Sequence, residues 1–299
     1  MRFLPLLLPL LLCGCQNIQD MPVPENFSWQ GHRGARGLLP ENTVPAFLTA
    51  LDSGMNTLEL DIAVSADSQI VVSHEPWMSA EICLDKTGAE FSKAEGEKLL
   101  LYRMPYSEIA LYDCGRKKHP RFPEQKRIKV HKPLLTEVIR AADAHAREKG
   151  YPLPSYNIEI KSDPAYDGRL TPPVAEFVAL TLRTLNESGI AGRTNLQSFD
   201  LRTLEEIRRQ NAKMPVAYLT ETETDTEAAL AKLSYRPDIY SPYYLLVNQK
   251  MIEVAHARNI KVIPWTVNET ADMQRLINMG ADGIITDYPN RIPKSEAKK

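Results

Sequence analysis

The stretch Thr57-Leu58-Glu59-Leu60-Asp61-Ile62-Ala63-Val64, followed by Ser65-Ala66-Asp67-Ser68-Gln69 and Ile70-Val71-Val72-Ser73-His74, decides the fold. Two apolar, β-branched runs flank a five-residue connection. Parallel strands need a crossover of about a dozen residues, so these two must form an antiparallel hairpin. Around them the chain alternates short strand-like runs with amphipathic segments. Strands are predicted at 28–32, 57–64, 70–73, 156–161, 194–198, 215–219, 238–241, 261–265 and 283–286. Helices are predicted at 43–54, 134–149, 172–188, 200–210, 226–233, 248–258 and 269–279. Leu135, Val138, Ile139 and Ala142 recur at helical spacing, and Val174, Phe177, Val178 and Leu185 share one helical face. Thr171 and Pro172 read as cap and first turn of that second helix. Gly150 and Gly280 stand where helices should stop. Nine strands less the hairpin return leave eight. The fold class is therefore α/β, a (β/α)₈ barrel over residues 27–295 with a hairpin after its second strand. Only about a dozen residues follow the last strand, too few for a full eighth helix.

Residues 76–130 do not fit the repeat. A stretch that long without periodicity is a functional loop or an inserted subdomain. Within it, residues 115–132 carry eight Lys or Arg against one acid, Glu124. That reads as a solvated loop, or as a patch that attracts anionic headgroups or steers an anionic substrate.

Composition is ordinary for a globular protein, with 43% apolar and 25% charged residues. A formal charge of −2 offers no global electrostatic reason to bind nucleic acid. The N-terminus is different. Arg2 precedes a ten-residue apolar run from Phe3 to Leu12, about half the length of a membrane-spanning helix. This suits a secretory signal. The run ends in Leu12-Cys13-Gly14-Cys15, which resembles a bacterial lipobox. Cleavage before Cys15 would remove residues 1–14, leave Cys15 to carry the lipid, and make 15–26 a tether. The expected location is an exported lipoprotein on a bacterial membrane, periplasmic or surface facing. Two cysteines then remain, Cys83 and Cys114, and an oxidising compartment favours their pairing.

Barrel enzymes place their chemistry at the C-terminal ends of the strands. Here those ends carry His32 and Arg33, Glu59 and Asp61, then Glu159 and Lys161. Period-two alternation sets Glu59 with Asp61, and Glu159 with Lys161, leaving Leu58, Leu60, Ile62, Ile158 and Ile160 to pack outward. A hairpin turning near Asp67 returns residue 74 beside residue 60, which brings in His74. Three interior acids repel one another, and a hard divalent cation, Mg²⁺ or Ca²⁺, relieves this. Two imidazoles with an Arg and a Lys then suit hydrolysis of a phosphate ester.

With these residues in place, the sequence resembles the glycerophosphodiester phosphodiesterase family. The matching series is His32-Arg33-Gly34-Ala35, Pro40-Glu41-Asn42-Thr43, Ala46-Phe47, Gly54, Glu59, Asp61 and His74. It continues with Glu159, Lys161, Gln197-Ser198-Phe199, Trp265-Thr266-Val267-Asn268, Gly280-Ala281-Asp282-Gly283 and Thr286-Asp287-Tyr288-Pro289. The resemblance implies a metal held by Glu59, Asp61 and Glu159. It implies His32 and His74 as the acid–base pair, with Arg33 and Lys161 on the phosphate. Phe199 and Trp265 would pack on the glycerol or the headgroup. The implied reaction cleaves a glycerophosphodiester to sn-glycerol 3-phosphate and an alcohol, through attack by water or by the neighbouring glycerol hydroxyl. Three positions depart from the family pattern. Glu75 stands where Asp is usual, Asp67-Ser68 replaces Asp-Gly, and Trp77-Met78-Ser79-Ala80-Glu81 replaces a threonine-rich stretch. Two other readings remain open: an enzyme of lysophospholipase D or phosphatidylinositol phospholipase type acting on membrane lipid, and a lipoprotein that binds phosphodiesters without turnover.

Overall fold

The computed structural model describes residues 20–293. The predicted signal segment, the lipidation site Cys15 and the first part of the tether, residues 15–19, lie outside the described residues. The elements are β1 (Ser28–Gly31), α1 (Val44–Asp52), β2 (Thr57–Val64), β3 (Ile70–Val72), α2 (Lys93–Gly96), α3 (Tyr106–Ile109) and α4 (Leu135–Lys149). They continue with β4 (Ser155–Ile160), α5 (Val174–Glu187), β5 (Thr194–Ser198), α6 (Leu201–Gln210), β6 (Val216–Thr220) and α7 (Thr226–Leu230). Last come β7 (Ile239–Pro242), α8 (Gln249–His256), β8 (Lys261–Val262), α9 (Thr270–Met279) and β9 (Gly283–Thr286).

Eight strands run parallel in the order β8-β7-β6-β5-β4-β2-β1-β9. The ring closes between its ends through backbone bonds from Asp282 N to Val262 O at 2.9 Å and from Ile285 N to Pro264 O at 3.0 Å. β3 pairs antiparallel with β2 alone, with Ile62 opposite Val72. That register sets His74 opposite Leu60, as the turn at Asp67 predicts. β8 is shorter than expected, because the chain leaves the ladder after Val262 and meets its neighbours through single hydrogen bonds.

The outward residues of β2 and β4, Leu58, Leu60, Ile62, Ile158 and Ile160, are fully buried beneath the helices. The barrel interior is polar at the same strands. Asn157 donates to Gln30 at 2.7 Å and to Gln197 at 3.0 Å, and Gln197 donates to Glu59 at 2.8 Å. These amides satisfy one another and form a floor under the acids. α4 ends on Gly150 and α9 on Gly280, both left-handed, as the sequence indicates. α5 differs. It starts at Val174 with Pro173 as its cap position, and neither Thr171 nor Pro172 opens it. Pro173 disfavours helical backbone at the residue before it, Pro172, so the helix begins two residues later than a Thr171 cap would place it.

Residues 76–130 pack as a small inserted unit on the back of the β2–β3 hairpin. Ala63 and Val71 of the hairpin join Met78, Leu101, Met104, Ile109 and Tyr112 in a second apolar cluster. The unit holds α2, α3 and isolated bridges, so its order comes from long-range contacts that leave no periodic trace. Cys83 and Cys114 are bonded within this cluster. Their separation of 31 residues closes a loop whose cross-link contributes on the order of 3–4 kcal/mol in the chain-entropy account. Replacing both by serine is therefore expected to destabilise the inserted unit by about that amount. Denaturant unfolding checks it, and an unchanged midpoint would contradict it.

Candidate active site

β1 delivers His32 and Arg33 into a tight turn. Arg33 takes φ of +50° and Gly34 +85°. A Cβ on Gly34 would lie 2.6 Å from the Ala46 carbonyl carbon, so only glycine lets the turn pack on α1. The turn is held by Arg33 N donating to Glu59 at 2.9 Å and Asn42 N donating to Arg33 O at 2.9 Å. Asn42, itself at φ +57°, donates its side chain to Asp61 at 2.9 Å. Two left-handed residues locked by site contacts are the kind of strain that functional sites retain.

Glu59 and Asp61 of β2 and Glu159 of β4 present carboxylate oxygens within 4.8 Å of one another, all buried. Burial and the neighbouring charge of Asp61 push the Glu59 carboxyl well above its ordinary range. Burial also raises Glu159, against the pull of Lys161. Burial opposes ionisation of Asp61 too, but Arg33 and His74 outweigh it and hold that group low. Three clustered buried acids with this imbalance are a set of oxygen donors fitted to a divalent cation.

Two imidazoles flank the acids, each backed by a carboxylate. His32 Nδ1 lies 2.6 Å from Asp287, just after β9, and His74 Nδ1 lies 2.9 Å from Glu75. Such pairing sets Nδ1 as the donor and leaves Nε2 for chemistry. The extra methylene of Glu75, relative to the usual Asp, therefore still allows contact with His74. Burial lowers the His32 pKa despite the opposing pull of Asp287, so the ring is neutral near pH 7.

Arg33 bonds Glu41 at 2.7 Å and approaches Asp61 at 3.1 Å. Lys161 reaches Glu159 at 2.8 Å and Asp61 at 3.7 Å. His32, Arg33, Glu59, His74, Glu159 and Lys161 line one cavity of about 480 Å³, and Phe199 and Trp265 line it as well, with ring centroids 5.4 Å apart. Asp61 is buried directly behind this lining.

Several supporting groups carry no role in the sequence reading. Asp287, Glu41, Asn42 and Gln197 stand inside the quoted motif series, which was the available signal. Arg36 and Phe122 had none, and Arg121 and Lys132 had only the basic stretch that contains them. Arg36 bonds Glu41 at 2.5 Å and lies over the Phe122 ring at 4.9 Å. Lys132 is buried and donates to Ser73 at 2.8 Å, beside His74. Arg121 and Phe122 bring the inserted unit to the cavity mouth. Part of the basic stretch is thus committed, with Lys117 on Glu90, Arg121 on Glu81 and Lys132 inside.

Residues 32–291 match the model of the Glycerophosphoryl diester phosphodiesterase family. The chain belongs to that family. Among family relatives, the glycerophosphodiester phosphodiesterase of Bacillus subtilis (strain 168) is 26% identical over 277 residues, covering 91% of this chain and 87% of its own. A solved protein from Silicibacter pomeroyi DSS-3, named for the family, is 32% identical with a TM-score of 0.78, covering 91% of this chain and 94% of that one. A phosphodiesterase of Oleispira antarctica, solved with sn-glycerol-3-phosphate, shares the fold with a TM-score of 0.68 at 20% identity, covering 90% and 95%.

Within this family member, Asp287 gives a stability test. Burial pushes its carboxyl up, but the charge and hydrogen bond of His32, with Arg36, hold it at about 2 against an ordinary 3.8. A depressed folded pKa contributes stability that is fully present above about pH 4 and lost as pH falls through about 2. Asp287→Asn mimics the protonated acid. It is expected to cost about 1.5 kcal/mol at neutral pH, where neutral His32 donates one hydrogen bond to the carboxylate, and more below the His32 pKa, where that ring is charged, with the gap closing near pH 2. Urea melts at a series of pH values check this, and a pH-independent gap would contradict it.

Proposed function

We propose that this chain hydrolyses glycerophosphodiesters to sn-glycerol 3-phosphate and an alcohol. The observation that carries the reading is one cavity lined by two carboxylate-backed imidazoles, two cations and the Glu59 and Glu159 members of a buried acidic triad whose third, Asp61, lies behind them. The family membership supports it, as does the named activity of the Bacillus subtilis relative.

Arg33 and Lys161 are placed to contact the phosphoryl oxygens and offset their charge. His32, neutral, takes the proton of the attacking hydroxyl, which is water or the glycerol hydroxyl next to the phosphate. A new P–O bond forms as the P–O bond to the alcohol breaks, and His74 delivers a proton to the departing oxygen. Overall one water is consumed. Glu59, Asp61 and Glu159 would hold one divalent cation, Mg²⁺ or Ca²⁺, which supplies charge stabilisation at the phosphoryl oxygens when bound. Phe199 and Trp265 form an apolar wall for the glycerol or the headgroup.

The N-terminal segment supports export and lipid anchoring through Cys15, in a periplasmic or surface-facing position. Several acyl chains would anchor stably where one is marginal. Among the described residues, no helix is long and apolar enough to cross a membrane.

The test uses the soluble form starting after Cys15. It is incubated with glycerophosphocholine, -ethanolamine, -glycerol and -inositol, with EDTA and with Mg²⁺ or Ca²⁺ restored. Release of glycerol 3-phosphate that EDTA stops and cation restores is the expected result. No release from any diester by folded, cation-loaded protein would overturn the reading.

A further inference from the structure

The acids lining the cavity are committed to protein partners, with one exception. Asp287 is bonded to His32, Glu59 accepts from Arg33 N and Gln197, and Glu159 holds Lys161. Glu221, the residue after β6, lines the same cavity and is exposed. Its carboxylate has no hydrogen bond or ion pair among the described residues. β6 pairs with β5, whose C-terminal end carries Phe199. Phe199 stands edge-on to Trp265 at 86°, and the indole is pinned by Nε1 donating to Ser241 O at 3.0 Å. Phe199 is 41% exposed although it faces a cavity. Neither ring is covered by a protein cation among the described residues, whereas Phe122, Tyr156 and Tyr235 are.

An unpaired carboxylate that shares a cavity with accessible aromatic rings is the chemistry that recognises an ammonium group. The opposite lining is cationic, with Arg33, Arg36 and Arg121. A diester with a cationic alcohol matches this division, with its phosphate on the cations and its ammonium toward Glu221. We propose that Glu221, with Phe199 and Trp265, forms a subsite for a cationic alcohol moiety of the ethanolamine or choline type. This rests on the phosphodiesterase reading above and narrows its substrate class. A neutral alcohol gains nothing from the carboxylate, and an anionic one is repelled by it.

The test compares kcat/KM of the wild type and Glu221→Gln on glycerophosphoethanolamine, glycerophosphocholine and glycerophosphoglycerol. Loss of one partly exposed charge from such a subsite is expected to lower the first two by about fivefold. Glycerophosphoglycerol should change by less than about twofold on the same reasoning. An equal change across all three diesters, or none, would overturn the subsite. Calorimetric binding of glycerophosphocholine and glycerophosphoglycerol to the His32→Ala protein, with and without Glu221→Gln, reads selectivity without turnover. Selective, Glu221-dependent binding with no turnover by the wild type would overturn the hydrolase reading and leave the subsite standing. Absence of both would overturn the two together.

Discussion

His32→Ala is expected to lower kcat by about 10³-fold, since a positioned acid or base contributes 10² to 10⁴. The fold should survive. His32 sits at the cavity surface with Nδ1 on Asp287, and the backbone bonds that shape its turn come from Arg33, Gly34 and Asn42. His74→Ala should lose a similar factor, and the double variant little more, because two groups that act in one proton circuit are not additive. The pH dependence separates the two rings. Burial lowers the His32 pKa. As the base, His32 must be neutral, so the acid limb of kcat/KM should fall at a pH below the ordinary 6.5 of histidine. In His32→Ala that limb should vanish from the residual rate. Near wild-type turnover in this variant, with unchanged melting temperature, would remove His32 from the chemistry.

The second large effect concerns the triad. With Glu59 raised well above its ordinary 4.5 and Glu159 raised as well, the cation-free site retains a proton that a bound cation must expel. Binding of Mg²⁺ or Ca²⁺ is therefore expected to release protons below the raised folded pKa and to tighten as pH rises. Calorimetry in buffers of different ionisation enthalpy measures this directly. The same shift has a stability consequence. A carboxyl whose folded pKa is raised costs stability as pH climbs from about 4.5 through the folded value. Glu59→Gln removes that cost, so the cation-free variant should melt at or above the wild type at neutral pH. It should bind the cation more than about tenfold more weakly, because partners one shell further out already contribute 10- to 100-fold. Tight binding with no proton released, or a cation-free Glu59→Gln that is markedly less stable, would contradict the arrangement described for the triad.

The inserted unit and the carboxylate partners show where local sequence runs out. Trp77 to Val130 carries no 2.0 or 3.6 period, yet most of it is ordered by Met78, Leu101, Ile109 and the Cys83–Cys114 bond packing on Ala63 and Val71. Those contacts depend on the hairpin's back face being present. Glu41 and Lys132 look like surface charges in the sequence, yet both are buried. Glu41 is enclosed because Arg33 and Arg36 converge on it, and Lys132 because the chain entering α4 passes behind Ser73.

By itself, the sequence determined the eight-strand alternation, the β2–β3 hairpin and which residues share the barrel interior. These follow from periods of two and 3.6 and from loop length, which are properties of neighbouring residues. It also placed His32, Glu59, Asp61, His74, Glu159 and Lys161 at strand ends on one rim. The tertiary structure alone decided how those groups are charged and held. Asp287 meets His32 across 255 residues only because β9 closes beside β1. Gln197 meets Glu59 across 138 only because β4 aligns β5 with β2. A side chain's proton affinity depends on burial and on the charges within a few ångströms, and closure of the ring sets both.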